Sequence, residues 1–124
     1  MILLLDAHTL LWWLFDDPSL RATARAAIAD PGTDVLISAS TIWEVAIKRS
    51  LGKLSAPPSL VSAVAAEFEI LPITAVDAEA AADLPPHHRD PFDRMLIAQA
   101  QRLDALIVSR DVAFAAYDVE TLPA

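Results

Sequence analysis

Four acidic residues stand where short apolar runs give way to polar ones. Asp6 ends the run Ile2–Leu5, and Glu44 lies in the first turns of a helical stretch after Val35–Ile37. Asp93 comes just after the pair Asp90-Pro91, and Asp111 closely follows Leu106–Val108. Thr9, Ser38, Ser40 and Ser109 add hydroxyls in the same segments. Gathered in one place, four carboxylates repel one another, and the cluster is tolerable only if protons or cations neutralise it. Oxygen-only ligands suit Mg²⁺ or Mn²⁺. One ion, or two roughly 4 Å apart, can polarise a phosphodiester, activate a water and stabilise the leaving oxygen. Phosphodiester hydrolysis is therefore the reaction these residue types suit best.

Each acid also has a purely structural use. Thr41 and Glu44 match a capping box, in which Glu44 would satisfy a backbone N–H. Asp90 suits an N-cap, with Asp93 favourable to the helix dipole one turn on. Asp6 could serve a turn, and Asp111 could cap the short segment after it. What favours chemistry is the joint placement of all four after successive strands.

The elements that would position them alternate. Met1–Leu5, Val35–Ile37, Ile70–Ile73 and Leu106–Val108 are short apolar runs of the kind buried on both faces of a parallel sheet. Pro72 marks the third as an edge strand or a strand end, and Val119–Leu122 is a fifth, weaker candidate. Helices are expected over His8–Phe15, after a Ser19 cap with Leu20, Ala24, Ala27 and Ile28 on one face, and over Ser38–Lys53 with Gly52 as C-cap. Further helices are expected over Leu60–Glu67, from Thr74 or Asp77 to just before Pro85, and from Asp90-Pro91 to about Asp104. A short turn covers Val112–Ala116. Alternating strands and helices predict an α/β sandwich around a mainly parallel sheet of four to five strands, read as one domain over residues 1–124. In such sheets ligands gather outside the carboxyl ends of the strands, which is where the acids fall.

Composition narrows the field. The chain has 124 residues, 55% of them hydrophobic and 21% charged, enough for a packed core and unlike a disordered segment. No cysteine is present, which excludes a disulfide scaffold, a thiolate zinc site and a cysteine nucleophile. A net charge of −8 is unlike a protein that coats nucleic acid through a basic surface. No targeting signal and no run of about 18 apolar residues is visible, so a soluble, cytoplasmic protein with no membrane partner is expected.

Three stretches resemble the PIN-domain ribonucleases, most of all the VapC toxins of bacterial toxin–antitoxin pairs: LLLDAHTLLWWL, ISASTIWEVAIKRSLGKL and HHRDPFDRMLIAQAQRLDALIVSRD. They span nearly the whole chain in the family's order. The resemblance implies a three-layer α/β/α fold and an acidic, Mg²⁺- or Mn²⁺-dependent site whose four acids are Asp6, Glu44, Asp93 and Asp111. It gives Asp6, Glu44 and Asp93 the principal metal, and Asp111 a second, weaker site or the orientation of the attacking water. Asp90 falls in the same motif and is read as a cap. Ser109 stands where the family often has Thr, and its hydroxyl is expected to bond a metal-bound water or a carboxylate. The implied activity is cleavage of RNA, tRNA being one such substrate, and the implied partners are a cognate antitoxin and a second copy of the chain. The alternatives are a housekeeping PIN nuclease and a non-catalytic PIN-like module. A phosphatase with Asp6 as nucleophile is disfavoured, because His8 stands where a second aspartate is wanted.

Other residues carry weaker readings. Arg94 is expected in an ion pair rather than on phosphate. His87, His88 and Arg89 are expected in a solvated loop, with contact to RNA or to a leaving group as the alternative. Lys48 stands four residues after Glu44, the favoured order for a helical pair, and with Arg49 and Lys53 forms the best basic patch. Trp43 is expected in the core. Trp12 and Trp13, with Leu10, Leu11, Leu14 and Phe15, make more apolar surface than one core absorbs, so part of it is expected to face another chain.

Overall fold

A computed structural model describes residues 1–124. Strand β1 (Ile2–Leu5) is followed by helices α1 (Ala7–Leu14) and α2 (Ala22–Ala29), then by β2 (Asp34–Ser38), α3 (Ala39–Ser50) and α4 (Leu60–Ala65). The chain continues through β3 (Glu69–Leu71), α5 (Ala75–Asp83), α6 (Pro91–Leu103), β4 (Leu106–Ser109), a 3-10 turn (Val112–Ala116) and β5 (Glu120–Pro123). The strands form one sheet in the order β3-β2-β1-β4-β5, and every pair is parallel.

The uninterrupted leucines of β1 follow from its central place. Leu3 and Leu5 point to a core shared with α1, α2, α3 and α4, and Leu4 points to a second core with α6 and Phe114. All three side chains are wholly buried, and each contributes about 1.5–3 kcal/mol of transfer free energy. Two cores on opposite faces of one sheet make three layers, as expected. Pro72 ends β3 at the sheet's edge, and β5 closes the other edge.

Helix termini explain most boundary differences. α3 stops at Ser50 because Gly52, at φ 71°, takes the left-handed conformation. Gly52 N–H then bonds Arg49 O at 3.0 Å and Lys53 N–H bonds Lys48 O at 2.9 Å, the paired closure of a Schellman end. α2 begins later than its apolar spacing suggests. Its N-cap is Arg21, with no side-chain bond, because Ser19 is held in a turn by Asp17, whose Oδ1 accepts its N–H at 2.8 Å. α5 begins at a Thr74 cap that makes a full capping box with Asp77.

Trp43 departs from expectation. The face that α3 buries carries Ser40, Thr41, Glu44 and Val45, so Trp43 is turned outward, 61% exposed, with its ring edge-on to Phe92 at 5.3 Å. Trp12 and Trp13 are half-buried against the first core, while Phe15 is exposed. No helix is long and apolar enough to cross a membrane.

Candidate active site

The carboxyl ends of β1, β2 and β4 face one cleft of about 420 Å³, whose walls include Asp6, Glu44, Asp93 and Asp111. Residues separated by up to about a hundred positions are thus brought together. The sheet achieves this because β1 lies between β2 and β4, so the segments leaving all three strands emerge side by side. A comparably sized cleft of about 460 Å³ lies at the opposite edge, where β4 and β5 begin; Asp104, Asp118 and Glu120 line it, and none of the four acids reaches it.

Hydroxyl groups stitch the strand ends together beneath the acids. Thr9 Oγ1 donates to Val108 O at 2.9 Å and Thr41 Oγ1 donates to Leu5 O at 3.3 Å. Asp6 is held at both oxygens: Oδ1 accepts Thr9 N–H at 3.0 Å as the cap of α1, and Oδ2 accepts Ser109 Oγ–H at 2.5 Å. Ser109 therefore makes the carboxylate contact expected of it. Its Oγ also accepts Asp111 N–H at 3.0 Å, tying the first and last acids through one side chain. Asp111 caps the 3-10 turn by accepting Ala113 N–H at 2.9 Å through Oδ1.

Glu44 is no capping-box residue, because Ser38 caps α3 and the Thr41 hydroxyl is committed to Leu5. Glu44 is instead buried and accepts Lys48 Nζ at 2.6 Å. That bond holds the Lys48 ammonium above its usual pKa, with Asp90 and Asp93 adding their field. Asp90 lines the cleft but spends Oδ1 on the N–H groups of Phe92 and Asp93, the cap it was read to be. Asp93 has no such satisfaction. Burial pushes its carboxyl up to about 6, and the charges of Asp90 and Glu44 push in the same direction, while a hydrogen bond to His88 opposes them. His88 Nε2 lies 2.6 Å from Asp93 Oδ2. The solvated-loop reading therefore fails for His88, whose ring is turned into the protein.

Two basic expectations are corrected. Arg94 meets no carboxylate: its guanidinium donates to the carbonyls of Ala81, Ala82, Leu84, Pro85 and His88. An arginine inside a ring of carbonyls finds enough acceptors without an anion. Arg49 likewise bonds Pro57 O at 2.6 Å, leaving Lys48 as the member of the basic patch that lines the cleft. One cation was overlooked. Arg110 lines the cleft, its guanidinium 4.3 Å from the centroid of the Trp12 ring and bonded to the carbonyls of Ser19 and Ala124. Its place between Ser109 and Asp111, directly after a strand, was the available signal.

The donor set fits a hard divalent cation. Five carboxylates line the cleft, Asp90 among them, against the cations Lys48 and Arg110, and the excess negative charge is what an ion would relieve.

The PIN domain profile matches residues 3–120 of the chain. No curated protein matches it. Among solved structures, VapBC2 from Rickettsia felis, bound to a DNA fragment from its promoter, is similar at TM-score 0.72 and 14% identity, covering 98% of each chain. FitAcB from Neisseria gonorrhoeae is similar at TM-score 0.65 and 20% identity, over 99% of this chain and 97% of that one. A toxin–antitoxin complex from Klebsiella pneumoniae is similar at TM-score 0.68 and 20% identity, over 97% and 95%. At these identities the likeness is one of fold.

Proposed function

The chain belongs to the PIN domain family, and on that premise we propose that it is a metal-dependent endoribonuclease, the toxin of a toxin–antitoxin pair, acting as one PIN domain over residues 1–124. The observation that carries this reading is the convergence of Asp6, Glu44, Asp93 and Asp111 on one cleft at the carboxyl edge of the sheet. Asp6, Glu44 and Asp93 hold a divalent cation, Mg²⁺ or Mn²⁺, and Asp111 completes a second, weaker site or orients the attacking water. When bound, the cation supplies Lewis acidity and a nucleophile at neutral pH.

The chain's own groups do the positioning. Ser109 and the Thr9 N–H hold the two oxygens of Asp6 in place, so no side-chain entropy need be lost there on binding. Asp93, with its carboxyl raised to about 6, is largely ionised at neutral pH and so would be available to hold the cation. Lys48 and Arg110 offer the substrate's phosphates a local cationic rim on a chain of net charge −8. Arg110 is the better placed for this, because two carbonyls and the Trp12 ring already fix it. RNA is the substrate and structured RNA such as tRNA a suitable form of it. The complex with antitoxin in the Klebsiella pneumoniae relative supports a cognate antitoxin as partner. The apolar surface at α1, ending in exposed Phe15, supports a homodimer.

Purified protein incubated with RNA tests this directly. Cleavage is expected to stop with EDTA and to return with excess Mn²⁺. Asp6→Asn is the informative variant, because Asn caps a helix as well as Asp does, so the fold is kept while the charge and the acceptor for the Ser109 hydroxyl are lost. Cleavage undiminished in Asp6→Asn would refute the assignment.

A further inference from the structure

The tightest convergence of ligating atoms in the cleft is not among the four acids alone. His88, Asp93 and Asp111 each offer an atom, and all three atoms lie within 4.8 Å of one another. Ligands on a single ion at about 2.1 Å can be no more than about 4.2 Å apart, so small side-chain rotations would close the set around one cation. We infer that His88 is a nitrogen ligand of the cation proposed on Asp93, with Asp111 drawn to that same ion rather than to a second site, and that the cleft selects Mn²⁺ and other nitrogen-accepting ions over Mg²⁺. This rests on the metal-binding reading of the cleft and adds a ligand that an all-carboxylate site lacks.

Three observations support it. The loop that carries His88 is built to hold it: its N–H donates to Tyr117 Oη at 2.8 Å and its carbonyl accepts from Arg94 at 3.1 Å. Tyr117 Oη in turn donates to Pro85 O at 2.7 Å. The ring itself is largely covered, 24% exposed, and its Nε2 already sits 2.6 Å from a carboxylate oxygen of the site. Imidazole belongs with Mn²⁺, Co²⁺ and Zn²⁺, whereas Mg²⁺ keeps oxygen ligands and water. The competing role is positional, with His88 orienting Asp93 through a hydrogen bond and never touching the ion.

Pulsed electron paramagnetic resonance of protein loaded with less than one equivalent of Mn²⁺ separates the two. A directly bound histidine gives ¹⁴N modulation of the Mn²⁺ echo, which is expected in the wild-type protein and lost in His88→Gln. In the same variant Mn²⁺ affinity should fall about tenfold to a hundredfold, and Mg²⁺ affinity by less than about threefold. Bound Mn²⁺ without ¹⁴N modulation in the wild-type protein overturns the inference and leaves the metal site standing. Modulation that persists in His88→Gln also overturns it, assigning the nitrogen to His8 at the cleft wall or to His87. No bound Mn²⁺ at all refutes the metal-binding reading itself, and the inference with it.

Discussion

Asp77 and Asp93 occupy the same position in their helices, three residues after the cap, and meet opposite fates. Asp77 reaches back to its cap's N–H at 3.2 Å and also receives Arg102 Nε at 2.6 Å and Gln99 Nε2 at 3.2 Å. The Arg102 guanidinium, above all, holds its carboxyl down to about 2. Asp93 makes only half a capping box: its N–H bonds Asp90 Oδ1, but its carboxylate turns to His88 instead of back to the Asp90 N–H. It is left to a cleft where burial and neighbouring acids raise it to about 6. One carboxylate is satisfied by the fold and stabilises it. The other is left short of partners, and that deficit is what a cation can fill.

The largest effect that would break this contrast is on activity. Asp93→Asn is expected to reduce RNA cleavage by more than the roughly 10–100-fold that loss of a mere supporting partner costs, measured at saturating Mn²⁺. Asp77→Ala should leave cleavage per folded molecule unchanged but lower unfolding free energy by about 2–3 kcal/mol in urea titration. That figure is kept below the range for fully buried pairs because Arg102 keeps one edge in water.

The pH dependence sharpens the contrast, since the two acids act with opposite sign. Asp77, lowered in the fold, contributes stability that is present above about pH 4 and lost as pH falls toward 2. Asp93, raised in the fold, favours the folded state while protonated, so metal-free stability should fall as pH rises from about 4 to about 6 and then level off. Asp93→Asn should abolish that second slope and stabilise the metal-free protein at pH 7.5 by about 1–2 kcal/mol, part of the gain being offset by the lost His88 contact. The smallest effect is at Lys48, which neutralises Glu44 from a partly exposed position. Lys48→Met should raise divalent-cation affinity about two- to fivefold by calorimetry.

The contrast also explains what could be read from the residues alone. The strands were legible because Leu3–Leu5 and Ile107–Val108 are apolar on both faces, a pattern that only a central parallel strand needs. The acids were legible because they sit where those runs end. Pairing across space was not. Nothing local tells that Arg94 would be surrounded by carbonyls of α5 and the loop after it, or that His88 would turn inward once Tyr117 held its backbone. Trp43 was misplaced because a large aromatic ring suggests burial, whereas the buried face of α3 carries Ser40, Thr41 and Glu44, of which Glu44 lines the cleft and Thr41 bonds Leu5 O beneath it. Ser19 was misread because Asp17 competes for the same turn.

The order of the sheet also governs when the cleft is completed as the chain is made. β1 is made first yet takes its place between β2 and β4, and Asp6 receives its Ser109 bond from the far end of the sequence. A ribosome-bound fragment that has not yet emerged past β4 lacks Asp111, the hydroxyl that fixes Asp6 and one whole wall of the cleft. Such a fragment would lack part of the acid set that the proposed chemistry needs.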